Sequence, residues 1–176
     1  MKKPKIATVW IDGCSGCHMS LLDMDERILD LLSKADLVYS PLVDMKEFPE
    51  GVDVTLIEGA VSSDEDEEKV RFVRKRSRIL VALGDCAVTA NVLAMRNAFG
   101  PQNIMRRAYI ENVTRNPLMP NEDLPTLLPQ SVPVHGIVKV DLFLPGCPPS
   151  ADLIYESLES LIAGKIPELE TRVQFG

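Results

Sequence analysis

The chain has 176 residues, 45% hydrophobic and 26% charged, which suits one folded domain with a sizeable core and excludes a disordered chain. Its net charge of −7 argues against a nucleic-acid surface, which needs a basic patch or stripe. No run approaches the roughly eighteen apolar residues of a membrane span. The N-terminus has neither an apolar stretch with a cleavage site nor a twin-arginine pair, so a cytoplasmic chain is expected.

Ile6 to Ile11 reads as a short buried strand running into the loop Asp12-Gly13-Cys14-Ser15-Gly16-Cys17. From Met19 the spacing of Leu21, Leu22, Ile28, Leu29 and Leu32 predicts one amphipathic helix with these residues on its apolar face. Residues 36–40 predict a brief second strand, and Val52 to Ile57 another that ends in Glu58-Gly59-Ala60. Ser62 and Ser63, followed by five acids and then by Arg71, Arg74, Lys75, Arg76 and Arg78, predict a helix that complements its own dipole. Glu65/Lys69 and Glu67/Arg71 are spaced to attract within it; such a run is a solvated face and carries no functional weight.

Ile79 to Leu83 is the next strand, followed at once by Gly84-Asp85-Cys86 and a helix through Val88, Val92, Leu93 and Met95. A proline-rich connection over about 100–136 holds six prolines, too many for a continuous helix, yet it is too apolar for a plain linker. Either it packs on a partner subunit or it covers one end of the sheet. Asp141 to Leu144 is the last strand; it enters Pro145-Gly146-Cys147-Pro148-Pro149-Ser150, and a closing helix carries Leu153, Ile154, Leu158, Leu161 and Ile162. Strands alternating with helices predict an α/β fold, a flavodoxin-like three-layer doubly wound parallel sheet, as a single domain over residues 1–176.

All four cysteines, Cys14, Cys17, Cys86 and Cys147, follow predicted strand ends. Ligands of open α/β sheets bind outside the carboxyl ends of the strands, so four thiols from three loops can converge there. In a reducing compartment metal binding or redox chemistry outranks two structural disulfides. An iron–sulfur cluster accepts four thiolates distant in sequence, and helices starting after Cys17, Cys86 and Cys147 would aim N–H groups at an anionic cluster. Structural zinc more commonly uses two close pairs, and a thioredoxin-like CxxC would leave Cys86 and Cys147 unexplained. Spacing favours the cluster over both, and a zinc-stabilised scaffold stays open as the reading without electron transfer.

Glu58 ends its strand at the level of the cysteines. It is either a carboxylate serving the cluster pocket, in proton transfer or behind a ligand, or a group that accepts from loop amides. His18 could ligate or donate to sulfide, but the plainer reading is the first turn of its helix; His135 gives no signal. There is no GxGxxG or Walker motif, and hence no nucleotide site expected on this chain.

Asp12-Gly13-Cys14-Ser15-Gly16-Cys17-His18-Met19-Ser20, Glu58-Gly59-Ala60, Gly84-Asp85-Cys86-Ala87 and Pro145-Gly146-Cys147-Pro148-Pro149 resemble the small subunit of [NiFe]-hydrogenases, in the same order, over about residues 6–163. The resemblance implies a flavodoxin-like fold and one [4Fe-4S] cluster on Cys14, Cys17, Cys86 and Cys147. It implies a separate large subunit carrying the Ni-Fe centre. The extra cysteines and export signal of longer members are missing, so the chain is most similar to the small subunit of the soluble bidirectional NAD-reducing type. There, electrons pass to NAD through diaphorase subunits carrying FMN and further Fe-S clusters. A flavin on this chain has no motif to support it. One-cluster small subunits of membrane-bound energy-converting hydrogenases are the alternative. The related complex I subunit has two adjacent cysteines where this chain has Cys14-Ser15-Gly16-Cys17, which counts against it.

Overall fold

Five strands form the central parallel sheet of the computed structural model, which describes residues 3–169 and 175. In chain order the strands are β1 (Lys5–Trp10), β2 (Asp36–Tyr39), β3 (Val52–Glu58), β4 (Val61–Ser63), β5 (Ser77–Leu83), β6 (Leu127–Val132) and β7 (Leu142–Leu144). The sheet order is β2-β1-β3-β5-β7, while β4 and β6 pair antiparallel in a separate ribbon. With the ribbon strands set aside, this is the flavodoxin-like order, with its switch point between β1 and β3. The predicted fold class is borne out.

Buried parallel strands read as near-continuous apolar runs because helices cover both faces. Val54, Leu56, Val81 and Leu83 point into one core, and Ile57, Leu80 and Ala82 into the other, with the period of two that a pleated strand imposes. The first core is closed by α1 (Gly16–Leu22), α2 (Arg27–Lys34) and, from the far end of the chain, the closing helix Ala151–Ile162, through Met24, Leu31, Leu153, Ile154 and Leu158. The second is closed by α3 (Asp64–Arg76) and α4 (Gly84–Thr89), through Val70, Val73, Ala87 and Val88.

The single helix expected from Met19 is two. The chain turns over residues 23–26, with Asp25 in the left-handed region at φ 52°, so α2 restarts out of phase with α1. The buried face therefore shifts to Met24 (1% exposed) and Leu31 (4%), while Leu22 (38%) and Leu29 (71%) lie outside. The helix expected after Cys86 also breaks. Left-handed Ala90 (φ 63°) ends α4, and a 3₁₀ segment Asn91–Ala98 follows, leaving Val92 and Met95 exposed.

The proline-rich connection is more structured than expected, with α5 (Pro101–Arg106), a π-helical turn Arg107–Glu111 and β6. Its second half is fastened down. Arg96 donates to Ser131 Oγ (2.8 Å), the Leu128 carbonyl (3.0 Å) and the Ser62 carbonyl (3.0 Å), and Val134 is buried in the second core. Ahead of β6 the connection leaves Tyr109, Ile110, Leu118 and Leu124 exposed. No helix among the described residues is long and apolar enough to cross a membrane.

The serine-acid start of α3 is a capping box: Ser63 Oγ accepts from Asp66 N (3.2 Å) and Asp66 Oδ2 accepts from Ser63 N (3.0 Å). Ser62 lies before it, in β4. The Glu67–Arg71 pair forms at 2.7 Å, but Lys69 reaches the Trp10 carbonyl (3.4 Å) instead of Glu65. Replacing Ser63 with Ala should cost about 1 kcal/mol. Thermal unfolding followed by circular dichroism will read this as a midpoint lowered by roughly 2–4 °C.

Candidate metal centre

The strand register decides where the four cysteines meet. Trp10 pairs with Glu58, Glu58 with Leu83 and Leu83 with Leu144, so β1, β3, β5 and β7 reach the same level at their carboxyl ends. The loops leaving β1, β5 and β7 there carry Cys14 and Cys17, Cys86, and Cys147, and β3 contributes Glu58.

The loops are stitched together by contacts that few other residues could make. Gly84 has φ +81°, and a Cβ built on it would lie 2.2 Å from Cys17 Sγ. The thiol of the first loop thus rests on the backbone of the loop that bears Cys86. Asp85, 4% exposed, accepts from Gly146 N through Oδ1 (2.7 Å), and its own N–H donates to the Gly146 carbonyl (2.9 Å). This two-way bond joins the Cys86 loop to the Cys147 loop. Ser20 Oγ of α1 donates to the Pro149 carbonyl (2.5 Å), and Asn91 Nδ2 lies 3.7 Å from Cys147 Sγ.

No cysteine forms a disulfide, and their exposure is graded: Cys17 is buried, Cys86 intermediate, Cys14 and Cys147 exposed. Burial pushes the Cys17 thiol far above its ordinary range, and the charges of Glu58, Cys86, Cys14 and Cys147 push it further. Cys86 is pushed up to about 11, by burial first and then by Cys14, Cys147, Glu58 and Asp85. Cys14 and Cys147 thus lie near enough to bear on both Cys17 and Cys86. Such a donor set fits a cationic metal group, which replaces the protons and offsets the repulsion. Among the described residues no three His, Cys, Asp or Glu side chains gather tightly enough to hold a single metal ion.

Glu58, 2% exposed, is fully engaged. Its Oε1 accepts from Cys17 N (3.2 Å), and its Oε2 from His18 N (2.8 Å) and from His18 Nδ1. It thus accepts from loop amides, as one of the two sequence readings has it. His18 is more than a first-turn residue: it is 1% exposed, and its Nε2 lies 2.9 Å from Thr8 Oγ1. Both ring nitrogens are occupied, which leaves none to ligate a metal. Sequence reasoning missed the roles of Asp85 and His18. The signal for each was its place beside a cysteine at a strand end. His135 stacks edge-on to Phe143, ring centres 5.7 Å apart.

A parallel sheet with cysteines gathered at its switch-point end defines a class, and comparison with known proteins agrees. Residues 14–161 match the family described as the NADH ubiquinone oxidoreductase 20 kDa subunit, and the chain belongs to that family. Within it, the chain is 40% identical to the delta subunit of the NAD-reducing hydrogenase HoxS of Cupriavidus necator, across 97% of this chain and 84% of that one. It is 34% identical to a subunit of the F420-non-reducing hydrogenase vhu of Methanocaldococcus jannaschii, across 96% of this chain and 59% of the relative's length. A chain in the crystal structure of an NAD+-reducing [NiFe]-hydrogenase in the H2-reduced state superposes with a TM-score of 0.91 at 39% identity, with 95% of each chain covered. A [NiFeSe]-hydrogenase from Dm. baculatum shares the fold, with a TM-score of 0.65 at 20% identity over 97% of this chain and 68% of that one. The resemblance to [NiFe]-hydrogenase small subunits of the NAD-reducing type is borne out.

Proposed function

We propose that this chain is the electron-transferring small subunit of a cytoplasmic NAD-reducing [NiFe]-hydrogenase, built as one domain around one [4Fe-4S] cluster on Cys14, Cys17, Cys86 and Cys147. The observation that carries this reading is the convergence of four unbridged thiols from three strand ends at one level of the sheet. The likeness to the HoxS delta subunit supports the rest: a large subunit holding the Ni-Fe centre, and diaphorase subunits with FMN, further clusters and the NAD site. A zinc scaffold is less well supported, because structural zinc more commonly takes two close cysteine pairs and this chain has one pair and two distant single cysteines.

When bound, the cluster supplies one-electron storage between the Ni-Fe centre and the diaphorase. The chain makes no bond to hydrogen or NAD; it holds the ligands and shapes their surroundings. Cys17, deepest of the four, keeps water from one side of the centre, and Asp85 fixes the spacing between the Cys86 and Cys147 loops. Asn91 stands close enough to donate to the Cys147 sulfur, a bond that favours added negative charge there. Glu58 stands behind Cys17, its carboxyl group accepting the Cys17 amide.

Elemental analysis of the complex captured anaerobically through a tag on this chain tests the reading. We expect about four irons for this cluster beyond those of partner clusters, with one nickel per copy of the complex. Zinc in place of iron would overturn the assignment. Iron without nickel, with the large subunit present on a gel, would move the chain to a relay of the complex I kind.

A further inference from the structure

We propose that His18 is a positioning residue: held between Thr8 and Glu58, it fixes the Glu58 carboxylate behind Cys17 and so sets the reduction potential of the cluster. This inference rests on the proposed function above.

The observation is an unbroken run of buried hydrogen bonds across three strands. Ser40, just past β2, accepts from Thr8 Oγ1 of β1 (2.8 Å); Thr8 Oγ1 meets His18 Nε2 (2.9 Å); His18 Nδ1 meets Glu58, at the end of β3. Glu58 then accepts the amides of Cys17 and His18, which closes the run on the cysteine loop. Thr8, His18, Ser40 and Glu58 are each 3% exposed or less. A buried carboxylate is costly unless hydrogen-bonded, and His18 is the side chain that meets it here. The two amides anchor Glu58 to the cysteine loop, and the His18 ring ties it onward to Thr8 of β1 and Ser40 beyond β2.

Glu58 Oε1 accepts the Cys17 amide at 3.2 Å, so the carboxylate and the histidine bonded to it lie against the loop of a cluster ligand. The potential of an iron–sulfur cluster responds to charge and hydrogen bonding around its ligands, so a change in how this pair is held moves the potential.

The two ring nitrogens can be removed separately. Asparagine places an amide N–H near the position of Nδ1, and glutamine near that of Nε2. His18→Gln keeps the Thr8 contact and loses Glu58; His18→Asn keeps Glu58 and loses Thr8. The measurement is an anaerobic redox titration of the holo complex, with the reduced cluster followed by electron paramagnetic resonance. We expect Glu58→Gln and His18→Gln to shift the midpoint potential, His18→Asn to restore most of the wild-type value, and Thr8→Val to produce a smaller shift in the same sense as His18→Gln. Thr55→Val is the control, since it removes an equally buried Thr55–Ser77 bond (2.7 Å) outside this run. An unchanged potential in His18→Gln with iron retained would overturn the inference, as would an equal shift in Thr55→Val. Wild-type complex without iron would instead overturn the reading on which the inference stands.

Discussion

Replacing Cys86 with Ser should abolish hydrogen-driven NAD reduction while sparing the fold. Cys86 sits in the first turn of α4 at intermediate exposure and outside both apolar cores, so the smaller serine opens no large cavity. A serine hydroxyl does not ionise as a thiol does, and the centre is left with three thiolates. Removing a group that merely supports a metal ligand costs roughly 10–100-fold. Loss of the ligand itself should exceed that, so NAD reduction should fall by more than about 100-fold. Hydrogen–deuterium exchange at the partner's Ni-Fe centre needs no onward electron and should persist. The two activities measured on one preparation decide the matter: NAD reduction at the wild-type rate would sink the assignment of Cys86.

Gly84→Ala should be nearly as damaging without touching a ligand. The new methyl would lie 2.2 Å from Cys17 Sγ, and the neighbouring loops leave little room. The Gly146 carbonyl is 3.5 Å from the same point, and Cys17 is backed by the amide bonds to Glu58. The sulfur must move away from the other three. Alanine at φ +81° also carries a backbone cost of roughly 1–2 kcal/mol. Gly164→Ala isolates that cost, because Gly164 has φ +77° with nothing within 4 Å of a built Cβ. Iron per chain and unfolding midpoint should be measured on both variants. Both should lose comparable backbone stability, and only Gly84→Ala should lose most of its iron. Equal iron in the two would mean that Cys17 does not sit where the centre forms.

Much of this was legible in the sequence because the signals were local. Apolar runs ending in Asp-Gly-Cys, Gly-Asp-Cys or Pro-Gly-Cys placed the cysteines at strand ends, and the alternation of strands and helices implied the parallel sheet. What escaped was set by single residues or by distance along the chain. Asp25 and Ala90 adopt left-handed conformations that their residue types do not announce, and each breaks a helix whose apolar spacing reads as continuous. The β4–β6 ribbon pairs Val61 with Val132, and a three-residue strand has too few positions to display a period. Glu58 and His18 lie 40 residues apart, so their pairing appears only once β1 and β3 are side by side. That Glu58 can accept from loop amides is readable from its place at a strand end; its histidine partner is not.

The graded exposure of the cysteines has a consequence for how the complex is put together. A centre held on these four sulfurs would have Cys17 at its floor and Cys14 and Cys147 at its mouth; Trp10 and Met19, in the same stretch of chain as Cys14, also expose apolar side chains. On the proposed reading, the large subunit docks over that mouth. Iron and sulfide must then enter the free chain first, because the mouth through which they pass is the one that docking seals. On that reading the depth of four sulfur atoms sets the order of assembly: cofactor loading would precede subunit pairing, and an empty chain that paired too early could not be filled afterwards.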